Sequence, residues 1–360
     1  MTPGRKGAAA VRLAFVGCGR GPADLHLPAL QRVPEIEVVA LCDPDRDRLE
    51  QTGKRFGVTS LHRDLDSLLG QSPLDAVAVC VPPAHHAGVA CRVLEAGKHL
   101  FVEKPLALTE ADCDRILEVA ARTSGVRVVG FNLRQHRLVI RARELIQRET
   151  LGRIELIRST FTTDIRQRLR LPQWRDRRDL GGGVLFELAT HHFDLWRWLL
   201  GREVEVVSAR SRDAESEDIT ATVSARFTGG VLATGQFAES TYPVNEMEIL
   251  GGAGRLRLSL YDFDGLQFVP LAVPPGSARA RLKRFGHTML SLPAGVMSAL
   301  SGGEYLGTFR DEWRHFAASV RDRVDPAASL EDGRAAALIS IAAARSALSG
   351  KPVSLLTFPS

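Results

Sequence analysis

The sequence predicts an α/β chain: an N-terminal doubly wound parallel sheet, then an α+β domain built on an open, mostly antiparallel sheet. Three observations carry that prediction. Between Val11 and Gly130 short apolar runs alternate with helical segments. From Val204 onward, strand-like runs follow one another with turn signals at Gly229-Gly230 and Gly251-Gly252. Between these stretches lie helical spacing over 138–148, a strand over 154–163 and a helix around residues 185–200. Strands alternating with helices imply a parallel sheet, whereas successive strands imply an antiparallel one.

The elements follow in order. Residues 1–10 read as a flexible tail with Arg5 and Lys6 but no apolar segment of signal-peptide type. Val11–Val16 is a buried strand, Gly17-Cys18-Gly19-Arg20-Gly21-Pro22 a glycine turn, and Ala23–Val33 a helix. Ile36–Cys42 is a second strand ending at Asp43. Gly17 suits a tight turn, and Gly19 leaves backbone exposed to a pyrophosphate. Asp43, 24 residues after Gly19, stands where a carboxylate would hold ribose hydroxyls and repel a 2′-phosphate. Pro22 replaces the third glycine of the fingerprint, a change the first turn of a helix tolerates. Gly17, Gly19, Arg20, Gly21 and Asp43 are therefore candidate dinucleotide contacts. NAD is the expected cofactor, with NADP the alternative because Arg46 lies near Asp43.

Helices are expected over 45–56, 64–69, 85–96 and 109–123, with Thr109 as a cap. The strand Ala76–Val81 ends at Pro82-Pro83. The strand His99–Val102 runs into Glu103-Lys104-Pro105, where proline ends the ladder. Two opposite charges at the carboxyl end of a buried strand point to a ligand site, because open α/β sheets bind ligands at that edge. The strand Val126–Gly130 closes the first domain, 11–130, leaving 131–360 for substrate binding and oligomerisation.

In the second domain, Ile165–Arg178 reads as a loop holding six arginines, among them Arg175. It suits an anionic substrate or a solvated basic surface equally. Gly181-Gly182-Gly183 opens a helix from about Leu185 to Leu200, the glycines letting something approach its start. Glu187, His191 and Asp194 share one helical face. A carboxylate one turn from an imidazole forms an acid/base pair, and His192 beside it is a candidate substrate contact. No third ligand at recognised spacing supports a metal site. Residues 270–305, rich in Pro, Gly and Ser, have the least definite pattern. Helices at 309–323 and 330–348 end the chain.

Composition narrows the function classes. Of 47 basic residues only six are lysine, and the net charge of +5 comes without a Lys/Arg block or interleaved aromatics, so nucleic acid is not an expected partner. No apolar run reaches the roughly 18 residues of a membrane span. Cys18, Cys42, Cys80, Cys91 and Cys113 form no C-x-x-C pair and suggest reduced thiols in a cytoplasmic protein.

Gly17-x-Gly19 with Asp43, Pro82-Pro83-x-x-His86, Glu103-Lys104-Pro105, and Gly181-Gly182-Gly183 with Glu187 and His191 together resemble the Gfo/Idh/MocA oxidoreductases. The resemblance spans nearly the whole chain, through Ser329-Leu330-Glu331-Asp332-Gly333-Arg334. It implies an N-terminal Rossmann domain, a C-terminal open-sheet domain, a nicotinamide cofactor and hydride transfer at a sugar or polyol carbon. It further implies that Lys104 holds the substrate hydroxyl and assists its deprotonation, and that His191 is the general acid/base. Pro82, His86, Glu103 and Asn132 would border the cofactor. It also suggests a cis Pro105 and a homodimer or homotetramer. Glu187 departs from the usual Asp. The alternatives are a non-catalytic NAD-binding regulator on the same fold and a glycoside hydrolase that uses NAD transiently.

Overall fold

The computed structural model describes residues 9–355, apart from residues 72, 170, 214–217 and parts of 275–302. Most of the expected tail and Arg170 lie outside the described residues, as does part of the 270–305 segment. Two compact units result: Met1–Asn132 with Leu306–Arg334, and Leu133–Tyr305 with Ala335–Ser360.

The first unit is built on six strands: β1 (Val11–Val16), β2 (Ile36–Cys42), β3 (Leu61–His62), β4 (Ala76–Val79), β5 (His99–Glu103) and β6 (Arg127–Gly130). Their order is β3-β2-β1-β4-β5-β6, and every pair is parallel. The chain moves outward from β1 in one direction, then returns past it to β4. This reversal makes the β1/β4 boundary the switch point, outside which ligands bind in open α/β sheets. Leu13, Ala14, Phe15 and all of β4 are fully buried, as continuous apolar runs in a two-sided parallel sheet should be. Asp45, Asp64 and Thr109 cap helices by accepting from the backbone N–H three residues on.

Two elements differ from the sequence expectation. The helix after the glycine turn begins as a π-turn, Pro22–His26, and continues as Leu27–Leu30. Residues 306–334, expected in the second domain, belong to the first unit. The reason lies in one face of the helix Glu304–Asp322. Phe309, Trp313 and Phe316, at helical spacing, are buried with Phe15 and Phe101 in one core, the Phe101 and Trp313 ring centroids 4.3 Å apart. Gly333 continues this packing, because a Cβ there would stand 2.7 Å from the side chain of Val129.

The second unit carries β7 (Ile154–Thr162), β8 (Val204–Asp213), β9 (Asp218–Phe227), β10 (Leu232–Ala238), β11 (Val244–Gly251), β12 (Gly254–Ser259), β13 (Leu266–Pro270) and β14 (Val353–Ser354). Their order is β13-β12-β11-β7-β10-β9-β8-β14. Only β7 with β10 is parallel; the other pairs are antiparallel. Along β9 and β10 buried residues alternate with exposed ones, so one face of the sheet packs inward and the other is open. The arginine-rich stretch contains a short helix, Ile165–Arg168, and two 3₁₀ turns. The expected helix 185–200 is divided into a π-turn, Leu185–Ala189, and an α-helix, Thr190–Leu200.

Candidate active site

In the first unit the site follows the carboxyl edge of the parallel sheet. Gly17 turns the chain at φ +99°, and a Cβ there would lie 2.4 Å from the Cys80 carbonyl oxygen. No other residue fits both constraints. Gly19 and Gly21 differ: a Cβ on either would meet nothing within 4 Å. The turn therefore faces open space, as a backbone approached by a pyrophosphate requires. Arg20 pairs with Asp24 at 3.4 Å.

Asp43 is buried beneath this turn. Its Oδ2 accepts from the Cys18 N–H at 2.8 Å, and its Oδ1 accepts from the Asp45 N–H at 2.9 Å. A carboxylate offers about four acceptor positions, so capacity remains for ribose hydroxyls. The cation beside Asp43 is Arg48, 3.4 Å away and half-exposed. Arg46 pairs with Glu50 instead. Arg48 escaped the sequence reading because its reach depends on the helix capped by Asp45.

Pro82 precedes a 3₁₀ turn, Pro83–His85. His86 is buried, with Nδ1 2.8 Å from the Pro105 carbonyl and Nε2 2.9 Å from the Val81 carbonyl. Burial holds its pKa below the usual histidine range, although the two carbonyls favour the protonated ring. The Lys104–Pro105 peptide is cis, and Lys104 is half-buried. The Glu103 Oε2 accepts from the Lys104 N–H at 3.1 Å, and Oε1 stands 3.0 Å from His26 Nε2. Asn132 is buried and donates to the Thr308 hydroxyl at 2.8 Å. His26, Gly130 and Glu312 were not found from sequence. Gly130 leaves room for Glu103, since a Cβ there would lie 2.6 Å from Oε1. Glu312 is buried with an unpartnered Oε2, and its pKa is pushed well up, first by burial and then by Glu103.

In the second unit the glycine run does allow the expected close approach to the helix start. A Cβ on Gly182 would lie 2.3 Å from the Arg175 carbonyl, and one on Gly183, at φ +94°, 2.5 Å from Asp218 Oδ1. The chain itself makes the close approach. Glu187 accepts a hydrogen bond from the Arg175 guanidinium. Arg175 lies 3.9 Å from Glu239, which also pairs with Arg166 at 2.7 Å. Burial raises the Glu239 pKa, while the two guanidiniums draw it back. Arg168, Arg177 and Arg178 pair with Asp164, Asp179 and Asp218. All five described arginines of 166–178 thus have an internal carboxylate partner, and Arg175 is committed to Glu187.

His191 is partly exposed, its ring 6.2 Å from that of Phe161. His192, expected to touch substrate, is sealed at 1% exposure. Its Nε2 is 2.9 Å from Asn245 Oδ1, and its ring stacks on Phe161 at 5.3 Å. Burial lowers its pKa to about 4, so the ring is neutral. Asp194 is buried against Arg134, with Nε to Oδ2 at 2.8 Å. The three polar residues of the expected common face thus include two held by separate arginines. No group of His, Cys, Asp and Glu among the described residues could hold a metal ion.

Comparison with known proteins gives a consistent result. Residues 11–131 match a family profile described as an oxidoreductase family with an NAD-binding Rossmann fold. Residues 139–257 match a GFO/IDH/MocA C-terminal domain. A myo-inositol 2-dehydrogenase of Thermotoga maritima is 28% identical over 345 residues, covering 93% of this chain and 96% of the relative. The crystal structure of a probable dehydrogenase from Thermotoga maritima aligns with TM-score 0.76 at 25% identity, covering 96% and 99% of the two chains. The WlbA dehydrogenase from Bordetella pertussis, in complex with NADH and UDP-GlcNAcA, aligns with TM-score 0.80 at 23% identity, over 97% and 99%. This last likeness speaks to the fold alone.

Proposed function

This chain belongs to the GFO/IDH/MocA oxidoreductase family, and we propose that it is an NAD-dependent dehydrogenase acting on a carbinol of a neutral sugar or polyol. One observation carries the reading. Asp43 and Lys104 follow the carboxyl ends of β2 and β5, on either side of the β1/β4 switch point. Asp43 would hold the adenosine ribose, the glycine turn the pyrophosphate, and Lys104 would stand at the reacting end.

NAD, when bound, takes up the hydride from the carbinol carbon. The chain's residues handle the proton. The Lys104 ammonium binds the hydroxyl oxygen and stabilises the developing alkoxide. His191, a partly exposed imidazole of the second unit, is the general base that the family resemblance implies. Glu187, bonded to the Arg175 guanidinium, holds Arg175 beside the helix that carries His191. The paired arginines support a neutral substrate, because none of the five described is without a carboxylate of its own. Free thiols at all five cysteines support the cytoplasm, and the open face of the second sheet supports self-association into a dimer or tetramer. Among the described residues no helix is long and apolar enough to cross a membrane.

The test is Lys104→Met assayed with NAD against a panel of sugars and polyols. Turnover should fall by about 10²–10³, the usual loss for a group that stabilises developing charge, while the NAD dissociation constant stays within about twofold. Equal turnover in the variant refutes the role.

A further inference from the structure

The mechanism leaves one buried, hydrogen-bonded imidazole unexplained. His26 is 1% exposed and ends the π-turn that leaves the glycine loop. Four aromatic rings box it: Phe309 at 5.0 Å, Trp313 at 5.6 Å, Phe101 at 5.7 Å and Phe15 at 6.1 Å. These contacts hold the ring in one orientation and direct Nε2 at Glu103 Oε1, 3.0 Å away. Its Nδ1 is buried without a hydrogen-bond partner, so Nε2 is the nitrogen through which this ring acts.

Glu103 has two oxygens, and they have different partners. Oε1 meets His26, and Oε2 accepts from the backbone N–H of Lys104 at 3.1 Å. A carboxylate is planar, so fixing one oxygen fixes the other. The Lys104 N–H is in turn fixed at the residue from which the ammonium departs. Gly130 completes the arrangement, because any Cβ there would stand 2.6 Å from Oε1 and push the carboxylate aside. An apolar box with an unbonded imidazole inside would be costly, and Glu103 is the only acceptor the described structure gives that ring.

We infer that His26 is a positioning residue for Lys104: through Glu103 it sets the backbone that aims the lysine, and it joins that backbone to the glycine turn. The inference rests on the proposed dehydrogenase function. Catalytic geometry tolerates little slack, and displacement of about 1 Å can cost about 10² in rate. Since His26 and Glu103 do not themselves touch the reacting carbon in this reading, their loss should act on turnover through Lys104.

The experiment compares wild type with His26→Leu, His26→Gln and Gly130→Ala. Leu fills the box without a donor. Gln offers an amide N–H close to the place of Nε2. Gly130→Ala presses hardest on the carboxylate, at 2.6 Å, and more lightly on the Phe101 ring of the box, at 3.1 Å. Two readouts are taken: kcat and KM for NAD, and hydrogen exchange at the Lys104 amide in protein without cofactor. His26→Leu should lower kcat by about 10- to 100-fold with KM for NAD within about threefold, and should speed Lys104 exchange about tenfold. Gly130→Ala should do the same, and His26→Gln should recover most of both. If His26→Leu fails to fold, Gly130→Ala carries the test. Unchanged amide exchange in both donorless and displaced variants overturns the inference, whatever the activity. So does equal impairment of the Leu and Gln variants. Absence of turnover in wild type across the panel overturns the proposed function instead and leaves the exchange result to stand by itself.

Discussion

Replacing Glu312 by Gln should make the protein more stable, and increasingly so as pH rises. Glu312 is 3% exposed, in the helix face that carries Phe309 and Trp313, with Oε2 lacking a partner. Burial and then the nearby Glu103 push its pKa well above the ordinary glutamate value of 4.5. The folded protein therefore keeps this carboxyl protonated at pH values where the unfolded chain has released the proton. The folded state binds the extra proton, so stability falls with rising pH from about the ordinary glutamate range up to the folded value. The slope from one such group is about 1.4 kcal/mol per pH unit. Glutamine has the same shape and no titration, so the difference between the two proteins should grow at that slope. For a cooperative unit of this size it amounts to roughly 3–5 °C in Tm per pH unit. Differential scanning calorimetry of both proteins at pH 5, 6, 7 and 8 reads it directly. Parallel Tm curves across that range would refute the reasoning, because they would mean that Glu312 ionises equally in both states. Cys80 is common to both proteins, and Glu103 is the neighbour whose charge adds to the effect.

Three further outcomes are expected. His192, whose pKa is lowered to about 4, contributes stability that is fully present above the unfolded value of 6.5 and lost as pH falls through 4. The total is about 3 kcal/mol, and His192→Gln should flatten the acid limb of a urea-denaturation profile over that window. Arg175→Met removes the guanidinium that pairs with buried Glu187 and adds to the field at Glu239, which keeps Arg166. It should cost roughly 3–5 kcal/mol near neutral pH, with the deficit shrinking in acid as the carboxylates protonate, measured by the same denaturation curves. Asp43→Ser removes a buried negative charge from beneath the glycine turn. At an effective dielectric of about 20 a unit charge 4 Å away is worth about 4 kcal/mol, so the ratio of NADP to NAD dissociation constants should fall by at least about 100-fold in a fluorescence titration.

The parallel sheet was legible because its strands are buried on both faces. Val11–Val16, Ile36–Cys42 and His99–Glu103 are mostly apolar runs, interrupted near their starts by Arg12 and Glu37 in the first two, that end in glycine, aspartate or Glu-Lys-Pro, and each ending is a chemical statement as well as a structural one. Local spacing likewise puts the glycine turn, Asp43 and Lys104 directly after β1, β2 and β5, where the parallel sheet carries them. What could not be read is which polar group answers which. Asn132 meets Thr308 across 176 residues of sequence, and His192 meets Asn245 across 53. Such pairings depend on tertiary closure and leave no periodic trace. The glycine run shows the same limit from the other side. Gly182 and Gly183 do mark a close approach, but the approaching groups are the Arg175 carbonyl and Asp218. That substitution changes the chemistry expected of the loop. An arginine-rich segment looks like a receptor for anions only while its guanidiniums are unanswered. In this fold each described one faces a carboxylate, and an anion entering there would have to displace a neighbour already held at hydrogen-bond distance. The cost of taking Arg175 from buried Glu187 is several kcal/mol, which is more than one exposed phosphate or carboxylate contact returns. The same network, which commits Arg175 to carboxylates of its own unit, therefore supports on energetic grounds the neutral substrate of the proposed function.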